Sequence, residues 1–169
     1  RFSEDALRML RAVRFAAQLG FDIEAETKEA MVKLAPDIAK ISAERIQTEL
    51  VKLITSAHPG EIRTAWETGL TAVFLPEFDR MMATPQNTKH HCYSVGEHTM
   101  AALEHIVGDK VLRLTMLLHD VAKPVCRTTD VSGNDHFYGH PKEGSEMARK
   151  ILRRLKFDND TTCLLYTSD

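Results

Sequence analysis

Apolar residues in this chain recur three and four positions apart, in short runs that glycine or proline cuts off. Leu7, Leu10, Val13 and Ala17 follow this spacing, together with Arg14, and Gly20 ends the run. The period puts one stripe of a helix against a core, and a glycine just past the stripe readily takes the left-handed turn that closes a helix. The same reading predicts a helix from about Ala25 to Ala35, stopped by Pro36, and another from a Ser42 cap through Ile46, Leu50, Leu53 and Ile54. Pro59-Gly60 opens a short helix that contains Trp66 and closes at Gly69; Leu70 to Leu75 is a further short apolar piece before Pro76. Ser3 is expected to cap the first helix, with Glu4 and Asp5 in its first turn, where the helix dipole favours acids. No two-residue alternation, repeat or low-complexity tract occurs, so the expected fold class is all-α.

The polar stretch from Met81 to His91 reads as a linker. Beyond it the composition changes, for seven of the eight histidines lie from His90 onward. Ser94-Val95-Gly96-Glu97 has the form of a capping box. Asp109 can cap the next helix, Lys110 to about Asp120, and a polar loop with Ser132-Gly133-Asn134 follows. Pro141 then suits the first position of a helix running to about Leu155. The expected organisation is a helical region over 1–80 and a second helical domain over 81–162. Residues 163–169 are what TGT CTC TTA TAC ACA TCT GAC encodes. That string resembles a transposon-type sequencing adapter, so the segment is set aside as an expected artefact.

A chain of 169 residues can bury one good core or two small helical ones. A formal net charge of −2 carries no basic signature, so any contact with nucleic acid must rest on local patches. The three cysteines, Cys92, Cys126 and Cys163, show no CxxC spacing; they exclude a disulfide scaffold and fit a reducing cytosol. No apolar run approaches the ~20 residues needed to span a bilayer.

Projected at 100° per residue, Glu4, Asp5, Arg8 and Arg11 fall on roughly a third of the first helix's circumference. A solvated face laced by ion pairs is the plain reading of such a pattern. The wording adds to it. Arg1-Phe2-Ser3-Glu4-Asp5-Ala6-Leu7-Arg8, with Phe15-Ala16-Ala17-Gln18-Leu19-Gly20-Phe21, resembles the segment after the catalytic head of class II tRNA nucleotidyltransferases, the CCA-adding and poly(A) polymerase family. The resemblance implies that Glu4, Asp5, Arg8 and Arg11 form a nucleotide-binding site that reads the incoming base.

The residue types suit that task. Cytosine and adenine both offer an exocyclic amino donor beside a ring-nitrogen acceptor. Asp5 can accept from the first while Arg8 donates to the second, and Glu4 and Arg11 can hold the pair in place. Guanine and uracil present the opposite order and would leave unmatched polar groups in a desolvated pocket. Ile41-Ser42-Ala43-Glu44-Arg45-Ile46-Gln47-Thr48-Glu49-Leu50 resembles a later motif of the family, in which an Arg and a Glu one turn apart brace this region. Arg45 and Glu49, spaced i,i+4, could equally pair with each other.

From residue 90 on the chain resembles an HD domain, through His98 in Val95-Gly96-Glu97-His98-Thr99, the doublet His119-Asp120, and His136-Phe137-Tyr138-Gly139-His140. Imidazole and carboxylate without thiolate pairs suit a divalent first-row metal or Mg²⁺ rather than a structural zinc. His98, His119 and Asp120 are the expected ligands, with His140 as a further ligand or phosphate contact and His136 a weaker candidate. His90, His91 and His105 read as linker or surface, and His58 as part of a turn. Lys123 could meet a substrate phosphate or face solvent. The Asp that usually completes an HD site, a helix or so past Leu155-Lys156-Phe157, is not found. Asp158 and Asp160 stand too close to the preceding helix to replace it, so the HD domain is expected to be truncated.

The family resemblance implies an enzyme that adds CCA, or part of it, to tRNA from CTP and ATP in the cytoplasm. Mg²⁺ would sit in a head domain outside this chain, which alone is expected to transfer no nucleotides, and Ni²⁺, Co²⁺ or Mn²⁺ would sit in the HD domain. The competing reading is a stand-alone HD phosphohydrolase with a helical scaffold, against which the Glu4 to Arg8 wording speaks.

Overall fold

A computed structural model of the protein describes residues 5–86 and 93–166. The first helix, α1 (Leu7–Leu19), begins later than expected. Asp5 stands before it, accepting from Leu7 N at 3.1 Å through its side chain and from Arg8 N at 3.0 Å through its carbonyl. The acid therefore caps the helix instead of riding in its first turn, while Ser3 and Glu4 lie outside the described residues. Gly20 closes α1 at φ 72° and donates to Ala16 O at 2.8 Å. A Cβ at Gly20 would also meet the His58 ring at 2.9 Å, so glycine is needed twice over.

Next come α2 (Ala25–Leu34), α3 (Ala43–Ile54), α4 (Ile62–Glu67), α5 (Leu70–Phe74) and α6 (Pro76–Ala83). α2 ends just before Pro36, as expected, and the chain continues in a tighter helix. Pro36 sits in the first turn of that 3-10 helix, Ala35–Lys40, where a missing N–H leaves no bond unmade. Ser42 holds the cap position of α3 without a side-chain bond.

The expected linker gives way in its first part. Met81 and Met82 belong to α6, where they follow Phe78 at helical spacing and are buried with it. Thr84 O then accepts from Val95 N at 2.9 Å. A Cβ on Gly96 would come within 2.8 Å of the Met82 backbone nitrogen, so this close approach of α6 to the next helix requires glycine. His90, His91 and Cys92 lie outside the described residues.

α7 (Val95–His105) opens with the capping box in place: Glu97 N donates to Ser94 Oγ at 3.2 Å and Ser94 N to the Glu97 carboxylate at 3.1 Å. α8 (Lys110–Leu118) is capped by Asp109, which accepts from Val111 N and Leu112 N. After α9 (Lys123–Cys126) the chain forms a hairpin that the sequence reading did not anticipate. It pairs β1 (Thr128–Thr129) with β2 (Asp135–His136), strands too short to show alternation. α10 (His140–Arg154) carries Pro141 in its first turn, and α11 (Asn159–Tyr166) follows.

One continuous apolar core runs from Ala6 to Phe157. Among the described residues, polar ties also join the helices around it. Arg113, 5% exposed, donates to the carbonyls of Ile54, Ile106 and Val107 at 2.6–3.2 Å, joining the end of α3 to the α7–α8 turn. Arg154 clasps Glu77 with two bonds of 2.7 Å, joining α10 to α6. The architecture is all-α apart from the small hairpin. Among the described residues no helix is long and apolar enough to cross a membrane.

Candidate functional site

Two groups of charged side chains stand out. The first lies where α3 packs on α1. Arg45 Nη2 is 3.3 Å from Asp5 Oδ2. Glu49, buried in α3, accepts from Arg11 Nε at 2.9 Å and is ion-paired with Arg14 Nε at 2.6 Å. The i,i+4 pair of Arg45 with Glu49 does not form, because each side chain reaches across to α1 instead. Asp5 and Arg11 are thereby held from outside their own helix. Arg14, read from the sequence as one of the residues on the core spacing, is an ion-pair partner whose guanidinium also lies 4.0 Å over the Phe15 ring. Arg8 is exposed one turn beyond Asp5. Glu4 lies outside the described residues.

The second group gathers where the end of α8 meets α7 and α10. His98, His119 and Asp120 each offer a ligand atom, and these atoms lie within 4.8 Å of one another. The His98 and His119 rings are 6.2 Å apart, and His119 Nε2 is 3.1 Å from Asp120 Oδ2. His119 Nδ1 sits 2.6 Å from Met116 O, a contact that can only be a donated N–H. With that proton assigned, Nε2 carries the lone pair in the neutral ring, the state a metal needs.

Burial opposes charge on His119, but the hydrogen bond and charge of Asp120 outweigh it and raise the imidazole pKa. Burial likewise opposes ionisation of Asp120, yet the hydrogen bonds and charges of His119 and Lys123 bring its carboxyl down to about 2. The donor set is two imidazoles and one ionised carboxylate, which suits a divalent first-row metal.

His140 is at the edge of the group. Its Nδ1 is tied to Phe137 O at 2.8 Å, and its Nε2 lies 4.0 Å from Asp120 Oδ1, outside the tight set. His136 turns away to Asp130, 2.9 Å distant. His105 bonds to Ala101 O on its own helix, and His58 stands in a turn. Lys123 does not face solvent freely. Its Nζ is 2.8 Å from Asp120 Oδ2 and 5.4 Å over the Phe137 ring.

Asp158 caps α11 by accepting from Thr161 N at 2.7 Å and from Thr161 Oγ1 at 2.8 Å, and these bonds hold its carboxyl down to about 2. Neither Asp158 nor Asp160 joins the metal group among the described residues. A separate cleft of about 460 Å³, lined in part by Gly20, Phe21, His58, Arg63, Tyr93 and Glu97, shares no lining residue with either group.

Comparison with known proteins supplies two matches along the chain. Residues 20–82 match the family described as the probable RNA and SrmB-binding site of polymerase A. Residues 88–167 match the HD domain. A multifunctional CCA protein from Actinobacillus pleuropneumoniae is 35% identical over 94% of this chain and 41% of its own length. A CC-adding tRNA nucleotidyltransferase from Thermus thermophilus is 35% identical over 93% of this chain and 39% of its own. A CCA-adding enzyme from Leuconostoc mesenteroides is 56% identical over a shorter stretch of 61 residues, covering 36% of this chain. The chain thus spans well under half the length of these curated relatives.

Proposed function

Because this chain belongs to the HD-containing family of CCA-adding tRNA nucleotidyltransferases, we propose that it is the base-selecting region and the HD domain of an enzyme that completes tRNA 3′ ends from CTP and ATP. The observation that carries this reading is the cross-helix hold on α1, with Arg45 on Asp5 and Glu49 on Arg11. A side chain that reads a base edge must keep its place when the base arrives, and anchoring from a second helix does this. Asp5 accepts from the exocyclic amino group of cytosine or adenine, Arg8 donates to the ring nitrogen, and Glu4 and Arg11 support them. In this reading the transfer chemistry and its Mg²⁺ are assigned to the longer protein, of whose relatives this chain spans a part. tRNA is the acceptor, in the cytoplasm, and residues 20–82 contribute to holding it.

The test is made in a longer protein containing this segment. The Asp5→Ala/Arg8→Ala double variant should lose its preference for CTP and ATP over GTP and UTP. Each lost charged hydrogen bond costs about 1.5–3 kcal/mol, roughly ten- to a hundred-fold. Unchanged preference would remove the base-reading role.

The HD portion is proposed to hold a divalent ion such as Ni²⁺, Co²⁺ or Mn²⁺ on His98, His119 and Asp120, with His140 nearby. When bound, the ion supplies the positive charge that phosphate-ester hydrolysis needs. Asp120 offsets that charge, the Met116 carbonyl fixes the tautomer of His119, and Lys123, paired with Asp120, is proposed to exchange that partner for a phosphate oxygen. Division into a 1–80 region and an 81–162 domain, with 163–169 extraneous, is part of the same proposal, although α6 crosses the first boundary.

A further inference from the structure

The last two turns of α10 concentrate positive charge. Residues 149–156 hold Arg149, Lys150, Arg153, Arg154 and Lys156 and no acid, in a chain whose formal net charge is −2. These side chains lie on the solvent side of the helix, since Ala148, Ile151, Leu152 and Leu155 take the core side. Arg154 is engaged with Glu77. Lys150, Arg153 and Lys156 are exposed and, among the described residues, none of the three is in an ion pair. Like charges packed this closely repel one another, so the cluster is costly unless an anion meets it.

Lys156 adds an independent sign. It follows α10 at φ 60°, the one non-glycine residue with positive φ among the described residues. Its N–H donates to Arg153 O at 3.1 Å and that of Phe157 to Leu152 O at 2.9 Å, the paired bonds of a helix end that ordinarily takes glycine at this position. A side chain strains the left-handed backbone, and such strain collects where the side chain has a use. The helix end is also fixed in place. Gln47 Nε2 donates to Leu155 O at 3.2 Å and to Lys156 O at 2.7 Å, which docks the cluster on α3. Arg45 and Glu49, flanking Gln47 on that helix, are the residues that hold Asp5 and Arg11.

We propose that Lys150, Arg153 and Lys156 form a contact surface for the sugar-phosphate backbone of RNA, in the HD half and outside the stretch 20–82 that matches the RNA-binding family. The proposal rests on the reading of the chain as part of an enzyme acting on tRNA. An RNA whose 3′ end is at the base-reading residues carries its preceding phosphates over neighbouring surface, and α3 ties this cluster to that neighbourhood. In a molecule of net negative charge a polyanion is held where cations gather. Lysine and arginine that meet phosphates in this way position the strand without reading its sequence.

The test is fluorescence anisotropy of a short labelled RNA hairpin titrated with the 169-residue chain over a series of salt concentrations. The variant Lys150→Gln/Arg153→Gln/Lys156→Gly should bind at least about ten-fold more weakly at ~0.1 M salt. The slope of log affinity against log salt should shrink by about one for each residue replaced. Lys156→Gly alone should weaken binding while the thermal midpoint stays level or rises, because glycine relieves the left-handed backbone. A lower midpoint with unchanged binding would make this lysine structural and remove it from the surface. Lys142→Gln, at the other end of α10, should weaken binding less than Lys150→Gln. If the wild-type chain binds the hairpin and the triple variant binds it with equal affinity and slope, or Lys142→Gln acts as strongly as Lys150→Gln, this surface is overturned while the tRNA reading stands. If polyglutamate displaces the hairpin at matched charge, the surface suits an acidic protein and the proposal falls. If the wild-type chain does not bind the hairpin even at low salt, both this surface and an RNA-holding role for residues 20–82 fall.

Discussion

Arg45 on α3 holds Asp5, the residue that caps α1, with Nη2 3.3 Å from Oδ2 across 40 positions of sequence. Asp5 is thus both cap and proposed base reader, and Arg45 orients the oxygen that the cap bond does not use. In a longer protein with this segment, Arg45→Ala should reduce discrimination against GTP and UTP less than loss of Asp5 itself. An exposed ion pair contributes about 1 kcal/mol or less, so the effect should be up to roughly five-fold. The check is kcat/KM for each of the four nucleotides. A uniform loss with all four would make Arg45 a stabilising residue only.

The clasp of Arg154 on Glu77 predicts a pH dependence of stability. Burial opposes ionisation of Glu77, but the Arg154 hydrogen bonds and charge prevail and lower its pKa from the ordinary 4.5. A lowered carboxylate stabilises the fold fully above its unfolded value and loses that contribution as pH falls through the lowered folded value. Arg154 is 44% exposed, so solvent screening limits the contribution to about 0.5–1 kcal/mol. Urea denaturation of wild type and Glu77→Gln should differ by that amount near pH 7, and the gap should close as the pH is lowered below about 4. A gap that widens with acid would contradict the assignment.

What the sequence disclosed and what it concealed divide by distance along the chain. The Ser94–Glu97 box and the Asp109 cap join residues two or three apart, and both were readable. The Arg113 carbonyl tie and the Arg45–Asp5 pair join residues 59 and 40 apart, and no local pattern announces them. Arg45 and Glu49 invited an intrahelical pairing because spacing cannot say which helix lies opposite. α6 as a whole escaped the sequence reading, because its Phe78-Met81-Met82 stripe is short and runs straight into polar residues. In the metal group, His98, His119 and Asp120 were readable together, whereas the edge position of His140 depends on how α10 packs.

Residues 163–169 should be dispensable. α11 takes its cap from Asp158 and buries Thr161, both upstream of Cys163, which is exposed. Removing 163–169 should leave the thermal midpoint essentially unchanged. A fall of several degrees, about 1 kcal/mol or more for a chain of this size, would show that the segment belongs to the fold.

The most direct measurement is calorimetric titration of the chain with Ni²⁺, Co²⁺ or Mn²⁺, beside the same titration of His119→Ala. Three ligands, two imidazoles and a carboxylate, should hold a divalent ion measurably, though more weakly than a site closed by a further carboxylate. One binding event is expected in the wild-type chain, lost or weakened at least about ten-fold in His119→Ala, since even an outer-shell partner of a metal ligand acts on that scale. Equal binding by the two chains would mean that His119-Asp120 is a helix-end ion pair, and that the HD portion has no metal site at this place.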